Sequence, residues 1–198
     1  MILRSAYYQN PDIIFLAKDL LGKKLVSHIG GTVTSGMIVE TEAYKAPEDK
    51  GSHAFNNRKT ARTEVMFGPG GYAYVYLCYG IHHLFNVVSG KEGQAHAILI
   101  RAIEPIDGIP TMLRRRNIST LSKNITNGPG KFTQAMGITT SLGGIDLFEK
   151  QTFWIEDIGM QDKFQISSGP RIGIPYAEEC IDWPWRFWIE GNKYVSLT

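Results

Sequence analysis

A chain of 198 residues, 43% hydrophobic and 20% charged, has the make-up of an ordinary globular protein with one adequate core, which excludes a disordered or fibrous chain. A formal net charge of only +2 excludes a basic tail as the means of holding nucleic acid, so such a partner would have to be held by local clusters. The two cysteines, Cys78 and Cys180, lack CxxC spacing and exclude a disulfide framework; free thiols in a reducing compartment are expected. No run approaches the roughly 18 apolar residues of a membrane span, nor is there the apolar core of a signal peptide. A soluble intracellular protein without a membrane partner is expected, in the cytoplasm or nucleoid if bacterial and the nucleus if eukaryotic.

In chain order, Asn10-Pro11-Asp12 offers a helix start, and Ile13, Ile14, Leu16, Ala17, Leu20 and Leu21 follow at helical spacing up to Gly22. Lys24–Ile29 and Thr32–Tyr44 read as strands joined at the Gly30-Gly31 turn. Residues 45–70 lack apolar periodicity and are predicted to form a long ordered loop with one helical turn; such loops are uncommon unless functional. Residues 72–77 alternate, with Tyr72, Tyr74 and Tyr76 on one side and Ala73, Val75 and Leu77 on the other. Cys78-Tyr79-Gly80 is the predicted hairpin tip, and His82–Val88 the returning strand. Ala95–Ile103 is another apolar strand, and helices are predicted over Gly108–Arg116 and Gly130–Met136. Short strands are expected at Ile145–Leu147, Phe153–Ile155 and Phe164–Ser168, and Trp183-Pro184-Trp185-Arg186-Phe187-Trp188 leads into an aromatic closing strand, with Pro184 tolerable only near its start.

The chemistry centres on Met37–Tyr44, MIVETEAY. Glu40 and Glu42 lie two apart in an extended run, so both carboxylates point to one face. Acids among Ile, Val and Tyr are unusual inside a protein, although a strand with one wet face carries them without consequence. Glu42 is the candidate base, suited to orienting water and stabilising a positively charged, oxocarbenium-like sugar; the plainer reading is an ion pair with Arg101, and both can hold. Tyr44, Tyr74, Tyr76 and Tyr79 are either ordinary strand aromatics or stacking surfaces for bases. Tyr79, at a glycine-flanked tip with little core to bury in, suits a wedge that fills the gap left by an extruded base. His53, His82, His83 and His96 fit neither HExxH nor a zinc-deaminase signature, so no metal and no cofactor is expected. Asn127-Gly128-Pro129-Gly130-Lys131 is not a P-loop, because Ile125 and Phe132 stand where glycine and a hydroxyl are needed; it is either one DNA-phosphate site or a turn ahead of a helix.

VETEAY (39–44), the DKGSH stretch ending at His53, MFGPGG…YVYLCYG (66–80), Asn86, LIRAIEP (99–105), GPGK (128–131) and RIGI from Arg171 together resemble the alkyladenine (3-methyladenine, methylpurine) DNA glycosylase family. Order and spacing hold from about Thr34 to Trp188. The resemblance implies one mixed α/β (α+β) domain around a curved antiparallel sheet with flanking helices and a protruding β-hairpin that enters the DNA minor groove. It implies a monofunctional, metal-free enzyme, expected to act as a monomer on double-stranded DNA containing damaged purines. Glu42 would deprotonate water held by Arg101 and the main-chain carbonyl of Ile172. Tyr44 would stack on one face of the flipped base, with Tyr76 and His53 on the other. Tyr79 would intercalate, and Asn86 would guard the pocket floor against the guanine amino group. His82-His83 departs from the more apolar or aromatic hairpin residues of the family, and the long basic N-terminal extension of some members is absent. Non-specific DNA affinity would then rest on the Arg58–Arg62 and Arg114–Arg116 clusters and on Lys131.

N-alkylation makes a purine cationic, so it already leaves readily and binds well between electron-rich rings. Selectivity against adenine is expected from a backbone N–H near His53, which would meet the adenine amino group donor to donor. Two other classes stand beside this reading. A bifunctional glycosylase-lyase would form a Schiff base on Lys131, detectable by borohydride trapping. A non-catalytic damage-binding module would keep the wedge without the base.

Overall fold

The computed structural model describes residues 1–160 and 163–196. Two short helices open the chain: α1 (Ser5–Tyr8) and α2 (Ile13–Asp19). The Asp12 carboxylate accepts the Phe15 N–H and caps α2. α2 stops at Asp19, two residues before its apolar spacing suggests, yet Leu20 and Leu21 stay buried as the chain turns into the sheet. α1 was not expected; a single turn is too short to show a period.

β1 (Lys24–Ile29) and β2 (Thr32–Lys45) form the expected hairpin, Ile29 facing Thr32 across Gly30 and Gly31 at φ +62° and +71°. Two consecutive positive φ values match the right-handed twist of the strands, which is why glycines stand there. β3 (Ala73–Cys78) and β4 (His82–Ser89) form a second hairpin, followed by β5 (His96–Asp107). Then come α3 (Ile109–Arg116), α4 (Pro129–Met136), β6 (Phe153–Glu156), β7 (Ile166–Gly169) and β8 (Arg186–Ile189). The strands make one sheet in the order β3-β4-β5-β2-β1-β6, with β8 joined to β2 and β7 to β8, every pairing antiparallel. β2 is long enough to carry two neighbours on one edge: β1 up to Met37 and β8 from Glu40 to Glu42.

Alternation sorts the sheet into two faces. Val39, Ala43, Ala73, Val75, Phe85, Val87, Ile98 and Ile100 join the main core with Leu16 and Ala17 of α2. Thr41, on the same face, donates its hydroxyl to the Ala17 carbonyl at 2.7 Å. The opposite face carries Glu40, Glu42, Tyr44, Tyr74, Tyr76, Asn86, Leu99 and Arg101, and residues 45–70 cover part of it. That segment holds two short 3₁₀ turns, Phe55–Asn57 and Glu64–Phe67, where one turn was expected. It builds a second core in which Ala54 and Met66 pack with Tyr74, Val88 and Ala97.

Three further expectations change. Ile145–Leu147 is not a strand but an isolated bridge of Asp146 to Tyr72, flanked by the Ala73 N–H donating to the Ile145 carbonyl and the Leu147 N–H to the Gly71 carbonyl, both at 2.8 Å. β5 runs four residues past Ile103, since Glu104, Pro105 and Asp107 still face β2. The closing strand begins only at Arg186, beyond Pro184; the Trp183 and Trp185 rings lie tilted against each other before it, 4.4 Å between ring centres. Both cysteines are free, and no described helix is long and apolar enough to cross a membrane.

Candidate active site

The β2–β5 pairing is interrupted twice in three residues. Ile38 faces Ile103, Glu40 faces Ala102 and Thr41 faces Ile100, so Val39 on one strand and Arg101 on the other fall outside the ladder. Such paired bulges bend the strands and re-aim side chains. Arg101 thereby turns its guanidinium between the two acids, Nε 3.3 Å from Glu40 Oε1 and Nη1 3.2 Å from Glu42 Oε1. Both carboxylates share one face, as their spacing requires, and both are wholly buried. Burial opposes the charge on Arg101, but Glu42 and then Glu40 outweigh it and hold its pKa above the ordinary value.

Glu42 is held from three sides. Its Oε1 accepts the Ile172 N–H at 2.8 Å as well as meeting Arg101, and its Oε2 accepts the Tyr44 hydroxyl at 2.7 Å. The Ile172 contact shown is thus made by its N–H, where the sequence reading assigned its carbonyl a role toward water. Burial and the adjacent Glu42 push the Tyr44 phenol well above its usual pKa, so it remains a donor. The neighbouring Arg171 anchors this wall: its side chain is fully buried, its Nη2 donates to Asp49 Oδ1 at 2.7 Å and its Nη1 to the Ala43 carbonyl at 2.8 Å. The Arg171 guanidinium lies 4.7 Å from the centre of the Tyr44 ring.

Tyr44, Arg101 and Ile172, the three groups that touch Glu42, all line a cavity of about 550 Å³. That volume is in the range of small-molecule sites. Its far side is Tyr76, with the His53 ring edge-on at 4.6 Å and the Arg62 guanidinium 4.7 Å from the Tyr76 ring centre. Asn86 and Leu99 also line it, and the Asn86 amide donates to the Tyr74 carbonyl at 3.0 Å. Arg62 Nη2 lies 3.2 Å from His53 Nε2 and 3.4 Å from its Nδ1, and Nδ1 hydrogen-bonds with the Tyr74 hydroxyl at 2.8 Å. Burial, followed by the Arg62 charge, lowers the His53 pKa to about 4, so the ring is neutral at pH 7.

The basic residues divide. Arg62, grouped in the sequence with Arg58, reaches into the cavity, whereas Arg58 is exposed and does not line it. Lys131 lines the cavity and donates to Asn127 Oδ1 at 2.9 Å; burial, then Arg116 and Lys123, lower its pKa. Arg115 and Arg116 are partly spent inside the protein, donating to the carbonyls of Ala135 and Asn124 at 3.3 Å each. Tyr79 sits at the tip of the β3–β4 hairpin with φ +50° and is 85% exposed. Ile81 and Leu77 beside it are also exposed, an apolar flank that the sequence reading did not single out. Nor does the sequence show roles for Asp49, Arg171, Arg186 or Ser196, because no local period connects them to β2. Among the described residues no three His, Cys, Asp or Glu side chains gather in one place.

Aromatic walls beside a buried acid, next to an exposed aromatic tip, are features of enzymes that act on a nucleobase taken out of its stack. Comparison with known proteins makes this particular. The pattern of the family described as Methylpurine-DNA glycosylase (MPG) matches residues 6–193. A Bacillus cereus (strain AH187) protein named "Putative 3-methyladenine DNA glycosylase" is 47% identical over 96% of this chain and 97% of its own length. A Bacillus anthracis (strain CDC 684 / NRRL 3495) protein of the same name is 46% identical over the same shares. The chain belongs to the methylpurine-DNA glycosylase family. As a member it is a DNA glycosylase, an enzyme of DNA repair whose substrate is DNA containing damaged bases.

Proposed function

We propose that this protein is a monofunctional glycosylase that works as a single-domain monomer on duplex DNA. It flips an alkylated or deaminated purine, of the 3-methyladenine, 7-methylguanine, hypoxanthine and ethenoadenine class, into the 550 Å³ cavity and hydrolyses its N-glycosidic bond. The observation that carries the reading is the setting of Glu42, whose three hydrogen-bonding neighbours all face that cavity.

The flipped base stacks between Tyr44 and the Tyr76–His53 pair, with Tyr79 in the vacated stack. As the bond from the sugar C1′ to the purine nitrogen lengthens, its electron pair leaves with the purine; an alkylated, cationic purine departs neutral. Positive charge then builds on the sugar beside the Glu42 carboxylate, which stabilises it. Oε1 already accepts two hydrogen bonds and Oε2 only one, so Oε2 keeps a lone pair for a water beside Arg101. That water gives its proton to Glu42 as its oxygen bonds to C1′, leaving an abasic site. A neutral His53 adds no repulsion to a cationic purine. Arg58, Arg62 and Lys131 hold the phosphates around the entrance.

Glu42→Gln keeps the shape and can still accept the Ile172 N–H, but it cannot take the proton. General-base assistance is worth roughly 10²–10⁴-fold, so single-turnover excision is expected to fall at least that far while lesion-duplex affinity stays within a few fold. Near-wild-type single-turnover kinetics would refute Glu42 as the base.

A further inference from the structure

The two acids of β2 have different surroundings. Neither carboxylate itself lines the cavity, but Glu42 meets three cavity-lining groups whereas Glu40 meets one, Arg101, and has no place in the hydrolysis proposed above. Glu40 is nonetheless wholly buried and saturated with donors. Its Oε1 accepts Arg186 Nε at 2.6 Å, the Ser196 hydroxyl at 2.8 Å and Arg101 Nε at 3.3 Å; its Oε2 accepts the Ser196 N–H at 2.7 Å. Arg186 in turn donates to the Ser196 carbonyl at 3.3 Å. Two acids and two arginines thus form a charge-balanced group behind the cavity wall. Well-packed apolar side chains often replace a buried ion group at no loss of stability, so stability alone is a weak reason for such a group.

The planar guanidinium of Arg101 connects Glu40 to the chemistry. It presents Nε to Glu40 and Nη1 to Glu42, and in a rigid fork the position of one nitrogen determines the direction of the other. We propose that Glu40 is a positioning residue for base excision: it locks Arg101 against Glu42, and through Arg186 and Ser196 it makes the segment after β8 part of the catalytic geometry. The inference rests on Glu42 being the base.

The test compares Glu40→Gln, Ser196→Ala and Glu42→Gln with the wild type, in single-turnover purine release from dimethyl sulfate-treated DNA. Affinity for a duplex carrying a tetrahydrofuran abasic analogue is measured alongside. Glu40→Gln preserves volume but loses the charge that holds both arginines. Its excision rate is expected to fall roughly 10- to 100-fold, the scale of an ångström-sized misplacement, with affinity unchanged within about twofold. Ser196→Ala removes one bond to a carboxylate and is expected to slow excision about 3- to 10-fold. A purely structural role would lower the rate and the affinity together, in step with thermal stability, and would overturn the proposal. So would a folded Glu40→Gln that excises at the wild-type rate. If Glu40→Gln does not fold, Ser196→Ala decides, and a wild-type rate there overturns it. Normal excision by Glu42→Gln would remove the base assignment itself, whereas an inactive Glu42→Gln beside a normal Glu40→Gln removes only the positioning role.

Discussion

Tyr79→Ser separates extrusion of the base from the chemistry that follows. The ring is 85% exposed, so its loss takes little from the folded protein, on the order of 0.5 kcal/mol or less. The positive φ of +50° is equally unfavourable for tyrosine and serine and cancels. On DNA the ring substitutes for the stacking partner that the extruded base leaves behind, worth about 1–3 kcal/mol. At roughly 1.4 kcal/mol per tenfold, the flipped population falls about 5- to 150-fold. Exposed Ile81 and Leu77 flank the tip and still fill part of the gap, which places the expected loss toward the lower end. Because the flipped fraction multiplies every later step, single-turnover excision from a stable pair falls by the same factor. Opposite a gap, where extrusion is easy, the defect shrinks. Excision from both substrates is followed under single-turnover conditions, with flipping monitored by fluorescence of a base beside the lesion. Equal defects in the two contexts would mean that Tyr79 acts in the cavity or supports the hairpin, and the wedge would have to be abandoned.

DNA affinity is expected to fall steeply with salt despite a net charge of +2, with a log–log slope near 0.9 per phosphate neutralised; a dissociation constant indifferent to salt would count against Arg58, Arg62 and Lys131 as phosphate contacts. The His53 ring is expected to titrate near pH 4, read from its ¹⁵N shifts, and a midpoint near 6.5 would refute the buried, Arg62-facing arrangement. Since folding lowers this pKa, the unfolded chain binds the extra proton: His53's contribution is complete above about pH 6.5 and drains away as pH falls toward 4, by at most roughly 3.5 kcal/mol. Asp49→Asn leaves the buried Arg171 without its counter-charge, a loss of about 3–5 kcal/mol and roughly 10 °C in Tm by calorimetry; a Tm within about 2 °C of wild type would show the pair to be dispensable.

Tyr74 and Tyr76 face away from Ala73 and Val75, and Glu40 and Glu42 share a face, as residue spacing alone requires. These features are legible because a strand's two-residue period is local and needs no knowledge of its neighbours. The Gly30-Gly31 and Tyr79-Gly80 turns are legible for the same reason, each depending on the backbone freedom of a few adjacent residues. The Arg101–Glu42 pair could be named in the sequence, but not the bulges at Val39 and Arg101 that bring it about, since a bulge belongs to the register between two strands. Nor could spacing show that Arg62 turns into the cavity while its neighbour Arg58 stays outside. The supports behind the cavity lie furthest from the sequence: Arg171 meets Asp49 across 122 residues, Arg186 meets Glu40 across 146, and Ser196 meets Glu40 across 156. They depend on β8 taking the edge of β2 that β1 leaves at Met37, and only the packing of the whole sheet decides which strand takes that edge.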